Sequence, residues 1–320
     1  MNRPVLIVDG LNLFVRHFVV NPTLSDSGDH VGGMVGFLRA LAHLSSRTMP
    51  SRIFVVWEAG GSPRRRAIYK NYKHNRRPQK LNRYYLDDIP DTVENRNDQI
   101  SNLIRVLKCV PVDQIYIEDC EADDIIGYMV RNLLNERCVI ASSDRDLYQL
   151  LNKTTIQWSP GQKKFITCKD VESKFGVTSD NFCTARCFVG DSSDGLSGVP
   201  RAGFASMSKR FPELLGESFV SVSDIIESAE EKSKDSNLKI YRSICENSDI
   251  PKRNWKLMYL DTNNLSAGQI QKIEKVFENP YLNSNKLDLI RSMSNLGIKN
   301  FDIDSFYSSV SSTRKNYKNV

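Results

Sequence analysis

The sequence predicts an α/β fold with a parallel central sheet flanked by helices. Three observations carry that prediction. Short apolar runs at residues 5–8, 53–57, 115–117 and 138–141 have the length and β-branched content of strands buried on both faces. Between them, apolar residues recur at helical spacing, so successive strands are joined by helical crossovers, right-handed in a parallel sheet. Asp9, Glu58, Glu121 and Asp144 each fall where one of these runs, or the short loop after it, ends, on the side where such sheets gather ligands.

Taken in order, the first strand (5–8) gives way to Asp9-Gly10. Residues 33–45 place Met34, Phe37, Leu38, Leu41 and Leu44 on one helical stripe. The strand at 53–57 ends at Glu58, and residues 98–110 read as a further helix. Behind the strand at 115–117 come Glu121, Asp123 and Asp124, then Ile125, Ile126, Met129, Val130, Leu133 and Leu134 at helical spacing. The strand at 138–141 runs into Ser142-Ser143-Asp144. After a helix at 179–189, residues 190–203 are turn-rich, with four glycines and Pro200. Helical patterns then cover 204–211, 222–233, 237–247 and 266–278. The expected division is an α/β domain over 1–178, a helical region over 179–290 and an extension over 291–320 with a frayed, basic end.

At 320 residues the chain is long enough for a sizeable core. No run of about 18 apolar residues is present, so no membrane helix is expected. MNRPVLIVDG lacks the small-residue cleavage site of a secretory signal. Seven scattered cysteines without a CxxC pair suit a reducing compartment, and the expected location is cytoplasmic. Cys183 and Cys187, four apart, read as buried helix residues in preference to zinc ligands. The net charge of +6 permits a polyanionic partner, and its distribution is more informative. Between Ser62 and Tyr85 lie Arg64, Arg65, Arg66, Lys70, Lys73, Arg76, Arg77, Lys80 and Arg83 with no acid, interleaved with Tyr69, Tyr72, Tyr84 and Tyr85. Positive charge with interleaved aromatics suits a nucleic-acid strand, whose phosphates it tracks and whose bases it stacks.

Nine acids fall into one scheme: Asp9, Glu58, the trio Glu121, Asp123 and Asp124, the pair Asp144 and Asp146, and the pair Asp191 and Asp194. Converging carboxylates repel, and they stay ionised at neutral pH only when divalent cations sit among them. Carboxylate oxygens with few local His or Cys select hard ions, Mg²⁺ or Mn²⁺. Two such ions activate a water and stabilise the leaving oxygen of a phosphodiester. The bland alternatives are helix-terminal acids: Asp123 or Asp124 alone fits a first helical turn, and Asp146 a cap for a helix at 147–151. A phosphatase or kinase would want G-x-x-x-x-G-K-[ST], which is absent.

LIVDGLN (6–12), VVWE (55–58), YKNYKHNR (69–76), EADD (121–124), SSDRDLYQLL (142–151) and GDSSDGLSGVPRAG (190–203) occur in the order of the 5′-nuclease family. In these blocks the chain resembles flap endonucleases and 5′–3′ exonucleases, and its compact length is most similar to bacteriophage-type enzymes. The resemblance implies a PIN-like catalytic domain holding two or more Mg²⁺ ions. Asp9, Glu58, Glu121, Asp123 and Asp124 match positions serving the first metal; Asp144, Asp146, Asp191 and Asp194 match those serving the second. It also implies a basic arch over about 60–97, in which Lys73 and Arg76 contact the scissile phosphate and Tyr72 stacks a base. Arg64, Arg65, Lys70 and Lys80 are further nucleic-acid contacts. A helix–three-turn–helix over about 188–215 would grip duplex phosphates through Gly198, Val199, Gly203, Ser206 and Lys209, with a K⁺ ion.

Glu58 stands where Asp is usual in that family, Gly195 where Asn is common, Arg201 where Gly is usual and Ala205 where Lys is common. The implied activity is Mg²⁺-dependent cleavage near 5′ ends, flaps or nicks of DNA, and of RNA in RNA–DNA hybrids, by a monomer working in replication or repair. For an enzyme of bacteriophage origin the setting is the host cytoplasm. The rival readings are a PIN-type ribonuclease and a catalytically inactive nucleic-acid-binding protein on the same fold.

Overall fold

In the computed structural model, which describes residues 3–74 and 93–312, six strands form one sheet. They are β1 (Val5–Asp9), β2 (Arg52–Ala59), β3 (Asp113–Glu118), β4 (Cys138–Ala141), β5 (Thr155–Ser159) and β6 (Lys164–Ile166). Their order is β3-β2-β1-β4-β5-β6, parallel except where β6 runs against β5. The chain builds from β1 through β2 to β3, then returns to lay β4 on the other side of β1. That reversal opens a crevice beyond the carboxyl ends of β1 and β4, the usual ligand site of open α/β sheets.

The helices are α1 (Gly10–Val20), α2 (Gly32–Thr48), α3 (Pro63–Ile68), α4 (Val93–Leu107), α5 (Ala122–Tyr128), α6 (Cys168–Phe175) and α7 (Ser179–Val189). There follow α8 (Phe204–Arg210), α9 (Val222–Asp235), α10 (Lys239–Glu246), α11 (Asp249–Met258), α12 (Ala267–Glu278), α13 (Lys286–Asn295) and α14 (Ile303–Ser311). Because strand side chains alternate, β1 feeds two cores. Leu6 and Val8 pack with α1, α2 and α4 on one face; Val5 and Ile7 pack with α5 and α12 on the other. A third core, around Phe182, Phe188, Phe211 and Ile244, joins α6 to α11.

One expectation needs correction and one bland alternative falls away. The segment read as a C-terminal extension is part of the sheet's own core: Met293, Phe306 and Val310 are buried with Leu6 and Val8. Its polar end, 313–320, lies outside the described residues. Asp146 does not cap a helix; its backbone N–H donates to Asp144 at 2.9 Å, and the segment Asp146–Leu150 is a short 3₁₀ turn. No helix among the described residues is long and apolar enough to cross a membrane.

Candidate active site

Asp9 ends β1 and accepts from the Asn12 backbone N–H at 3.1 Å, which caps α1. Its second oxygen accepts from Ser142 Oγ at 2.9 Å, just past the end of β4. The following loop is fixed from several sides. Ser142 Oγ accepts from the Asp144 N–H at 3.0 Å, and Asn12 Oδ1 accepts from the Ser143 N–H at 2.9 Å. From buried β5, the Gln157 amide donates to the carbonyls of Ser142 and Asp144 at 2.8 and 2.7 Å. These bonds hold Asp144 beside Asp9, in the crevice that the strand order creates.

Asp123, in the first turn of α5, faces the same space. Burial pushes its carboxyl well above the ordinary range, and the Asp144 and Asp9 charges push it further, with Lys73 opposing them. Asp9 is pushed up to about 7 by burial against its two hydrogen bonds, with Asp144 and Glu58 adding to the rise. Half-buried Glu58, at the end of β2, therefore belongs to the same electrostatic neighbourhood.

A second carboxylate group lies alongside. Asp146, Asp191 and Asp194 each present an oxygen within 4.8 Å of the others. Asp191 caps the short turn Ser192–Asp194 by accepting from the Ser193 N–H at 2.9 Å. The tight loop around it needs glycine at Gly198, where a Cβ would sit 2.1 Å from the Val189 carbonyl oxygen. Arg186, on α7, reaches across the group: Nε donates to Asp146 and a terminal nitrogen to Asp191, each at 2.5 Å. Burial raises Asp146 to about 7, with Asp144 adding to the rise and Arg186 opposing it. Burial also pushes Asp191 up, but Arg186 and the Ser193 hydrogen bonds leave it below the usual carboxylate range. A cleft of about 570 Å³, lined by Asn12, Asp144, Arg186, Asp191 and Asp194, joins the two groups.

Glu121 and Asp124 stand apart from these. Arg65, only 2% exposed, donates to both oxygens of Asp124 at 2.6 and 2.7 Å and to the Leu257 carbonyl at 2.8 Å. It lies 3.1 Å from Glu121, which also takes Lys73 Nζ at 2.7 Å and the Tyr72 hydroxyl at 3.1 Å. Burial alone would lower the Arg65 guanidinium, and Asp124 and Glu121 more than reverse this. For Glu121, burial pushes the carboxyl up, but Arg65 and Lys73 hold it below its ordinary value. Asp124 also closes the capping box of α5 with Glu121, and its oxygens are fully engaged by protein groups. Of the EADD block, then, Asp123 faces the site, while Glu121 and Asp124 anchor the segment that carries Lys73.

Three expected nucleic-acid contacts are corrected on the same grounds. Arg65 is buried with its donors in use, so no phosphate reaches it. Tyr72 is 8% exposed and spends its hydroxyl on Glu121, which leaves no face for a base. Val199 is buried in the third core. Gly203 has φ −82° and open space where its Cβ would be, so no turn requires glycine there. Arg64, Lys70 and Lys209 are exposed, and Ser206 is half-buried. Lys73 adopts φ +56° and donates its backbone N–H to the Asp194 carbonyl at 3.0 Å, while its ammonium, paired with Glu121, lies near enough to Asp123 to oppose the rise of that carboxyl. Arg76 and Lys80 lie outside the described residues. Residue patterns missed Arg186 and Gln157; the one signal for Arg186 is a lone cation in an otherwise uncharged turn just before Gly190-Asp191.

A sequence model described as the 5′–3′ exonuclease N-terminal resolvase-like domain matches residues 4–176. The chain belongs to this family. Among curated members, it is 27% identical over 205 residues to a 5′–3′ exonuclease of Buchnera aphidicola (Schizaphis graminum strain), covering 63% of this chain and 67% of that one. It is also 27% identical over 260 residues to the flap endonuclease Xni of Shewanella woodyi, covering 80% and 92%. Among solved structures, the bacteriophage T5 flap endonuclease, in complex with DNA and metal ions, superposes with a TM-score of 0.68 at 18% identity. That match covers 91% of this 5′–3′ exonuclease-family chain and all of the phage protein. At such identity the likeness is one of fold.

Proposed function

We infer that the protein is a divalent-metal-dependent 5′ nuclease that hydrolyses DNA phosphodiesters near 5′ ends, flaps or nicks. The observation that carries this reading is the cleft that borders both carboxylate groups, with Asp144 on one side and Asp191 and Asp194 on the other, and with the Lys73 charge acting on Asp123 beside it. The donor set suits a hard divalent cation: all-oxygen ligands close together, with Asp9 and Asp146 raised to about 7 by burial and by each other's neighbours. Mg²⁺ is the ion assigned, with Mn²⁺ a substitute. Asp9, Glu58, Asp123 and Asp144 would hold one ion, and Asp146, Asp191 and Asp194 the other. When bound, such ions activate a water and offset charge on the transferring phosphate.

The chain's own groups supply the positioning. Lys73 is held by Glu121 at the junction of the carboxylate groups, where its ammonium would meet the scissile phosphate. Exposed Arg64 and Lys70 would guide the strand electrostatically, and Arg76 and Lys80 are assigned to the same arch by their sequence positions. Gly198, Ser206 and Lys209 would meet duplex phosphates, with K⁺ assigned to that turn on the family resemblance. The protein would act as a monomer, in the cytoplasm, on DNA and on RNA–DNA hybrids in replication or repair. The test is to incubate the protein with a 5′-labelled flap, a nicked duplex and an RNA–DNA hybrid, with Mg²⁺ or EDTA, and size the products. Short 5′ products formed with Mg²⁺ alone are expected. Intact substrates in both conditions would overturn the assignment.

A further inference from the structure

β3 is the outer strand of the sheet: β2 pairs with one side, and among the described residues no strand lies on the other. Alternate residues of such a strand turn their backbone N–H and C=O groups to the open edge. Edges of this kind are commonly blunted by Pro or Lys, and DQIYIE (113–118) contains neither. Tyr116, on the same side of the strand as Gln114, is 59% exposed.

A mostly apolar groove of about 350 Å³ lies beside the start of this edge, lined by Lys108, Val112, Gln114, Lys275, Val276 and Tyr281. Its walls are fixed by hydrogen bonds. Arg52 donates to Asp113 at 2.6 Å and to the carbonyls of Phe277 and Val276 at 2.5 and 2.8 Å, which ties the end of α12 to β2 and β3. The other Asp113 oxygen accepts from the Tyr281 N–H at 2.7 Å, and the Tyr281 hydroxyl donates to the Lys108 carbonyl at 2.8 Å. Asp113, the one acid in the lining, is thereby engaged. Lys108 and Lys275 are exposed, and neither is in an ion pair among the described residues. Arg105 and Lys272, one turn earlier on the same helix faces, are exposed cations as well.

We propose that this edge docks an extended, acidic segment of a partner protein, which adds to β3 as a further strand and seats an apolar side chain in the groove between Lys108 and Lys275. The open edge supplies main-chain hydrogen bonds, and the groove a pocket for an alternate side chain. The four cations select acidic flanks on the incoming segment. Nucleic-acid phosphates would satisfy the lysines and leave the apolar groove unused. No residue of this groove lines the acidic cleft, so the proposal stands apart from the nuclease reading.

The test uses the full chain and a fluorescein-labelled peptide, Asp-Glu-Val-Phe-Val-Glu-Asp, read by anisotropy, with amide hydrogen exchange to locate the contact. Saturable binding with a Kd below about 1 mM is expected, and exchange over residues 113–118 should slow. A peptide with Asn and Gln in place of its acids should bind roughly tenfold more weakly. A copy N-methylated at alternate residues lacks the donors of a strand and should lose as much. Lys108→Glu/Lys275→Glu should lose the acidic peptide to the same degree and bind one carrying Lys in place of each acid, with flap cleavage unchanged. Should that variant lose stability, Lys275→Gln alone decides, with roughly threefold weaker binding expected and no change refuting. No binding by about 1 mM, equal affinity for the N-methylated copy, or slowed exchange only outside residues 108–118 and 275–281 would overturn the proposal. So would protection of 113–118 that grows with protein concentration without peptide, which assigns the edge to a second copy of this chain. Displacement of the peptide by duplex DNA would also overturn it, assigning the lysines to phosphate.

Discussion

Replacing Arg65 by Met removes a guanidinium that bridges three segments: α3, the start of α5, and the end of α11 through Leu257. The side chain is 2% exposed and Asp124 is 3% exposed, so the substitution strands a buried carboxylate. Breaking a buried ion pair by removing one partner costs about 3–5 kcal/mol, most of it the penalty of the charge left behind. The Leu257 carbonyl loses its 2.8 Å donor as well, for a further ~1 kcal/mol. Loss of roughly 4–6 kcal/mol is therefore expected for Arg65→Met in urea denaturation followed by circular dichroism. Because the cost lies in the unpaired charge, Arg65→Met/Asp124→Leu should recover about half of it. A single-variant loss below about 1 kcal/mol, or a double variant no more stable than the single, would refute the buried-pair account.

Further outcomes follow from the same geometry. Asp144→Ala and Asp123→Ala should each abolish Mg²⁺-dependent cleavage while flap affinity in EDTA stays within about threefold, read by anisotropy. Lys73→Ala should lower kcat roughly 100-fold with a smaller change in KM, measured by single-turnover and steady-state cleavage. Arg186→Gln removes the cation lying between Asp146 and Asp191, and Mn²⁺ binding, counted by paramagnetic resonance, should tighten by roughly tenfold.

Stability should also depend on pH in a metal-sensitive way. Folded Asp9 and Asp146 are raised from 3.8 to about 7, so between those values the folded state holds more protons than the unfolded one. Stability is then lost as pH rises through this window, by about 4 kcal/mol for Asp9 alone at 1.36 kcal/mol per unit. Glu121 and Asp191 are shifted the other way and act below about pH 4.5, outside the comparison. Urea midpoints in EDTA should fall between pH 5 and pH 7.5, and Mg²⁺ should reverse the fall.

The strands that position the site were legible because β1 and β4 are buried on both faces and read as unbroken apolar runs. β5 was not, since TIQWS mixes in polar residues; Gln157 is buried there to hold the Asp144 loop by hydrogen bonds, which no hydropathy pattern encodes. Helix α11 was hidden by Pro251, which sits in the first turn, where a missing N–H breaks no intrahelical bond. The acids at strand ends were readable as a set. Their division was not, because the sequence does not say which of Arg64, Arg65 and Arg66 turns inward. Only the packing of α3 against α5 and α11 selects Arg65, and with it the structural role of Glu121 and Asp124. The same limit applies to α13 and α14, whose apolar residues look ordinary until the tertiary fold brings them back to α2.

The central claim is that acids distant in the chain form one divalent-metal cleft. Its most direct measurement is the anomalous scattering map of crystals soaked in Mn²⁺, recorded with and without Asp144→Ala. The account predicts peaks between Asp144 and its neighbours Asp9 and Asp123, and among Asp146, Asp191 and Asp194, beside the cleft that Asp144, Asp191 and Asp194 line, with occupancy lost in the variant. Peaks elsewhere on the surface, or none at saturating Mn²⁺, would contradict it.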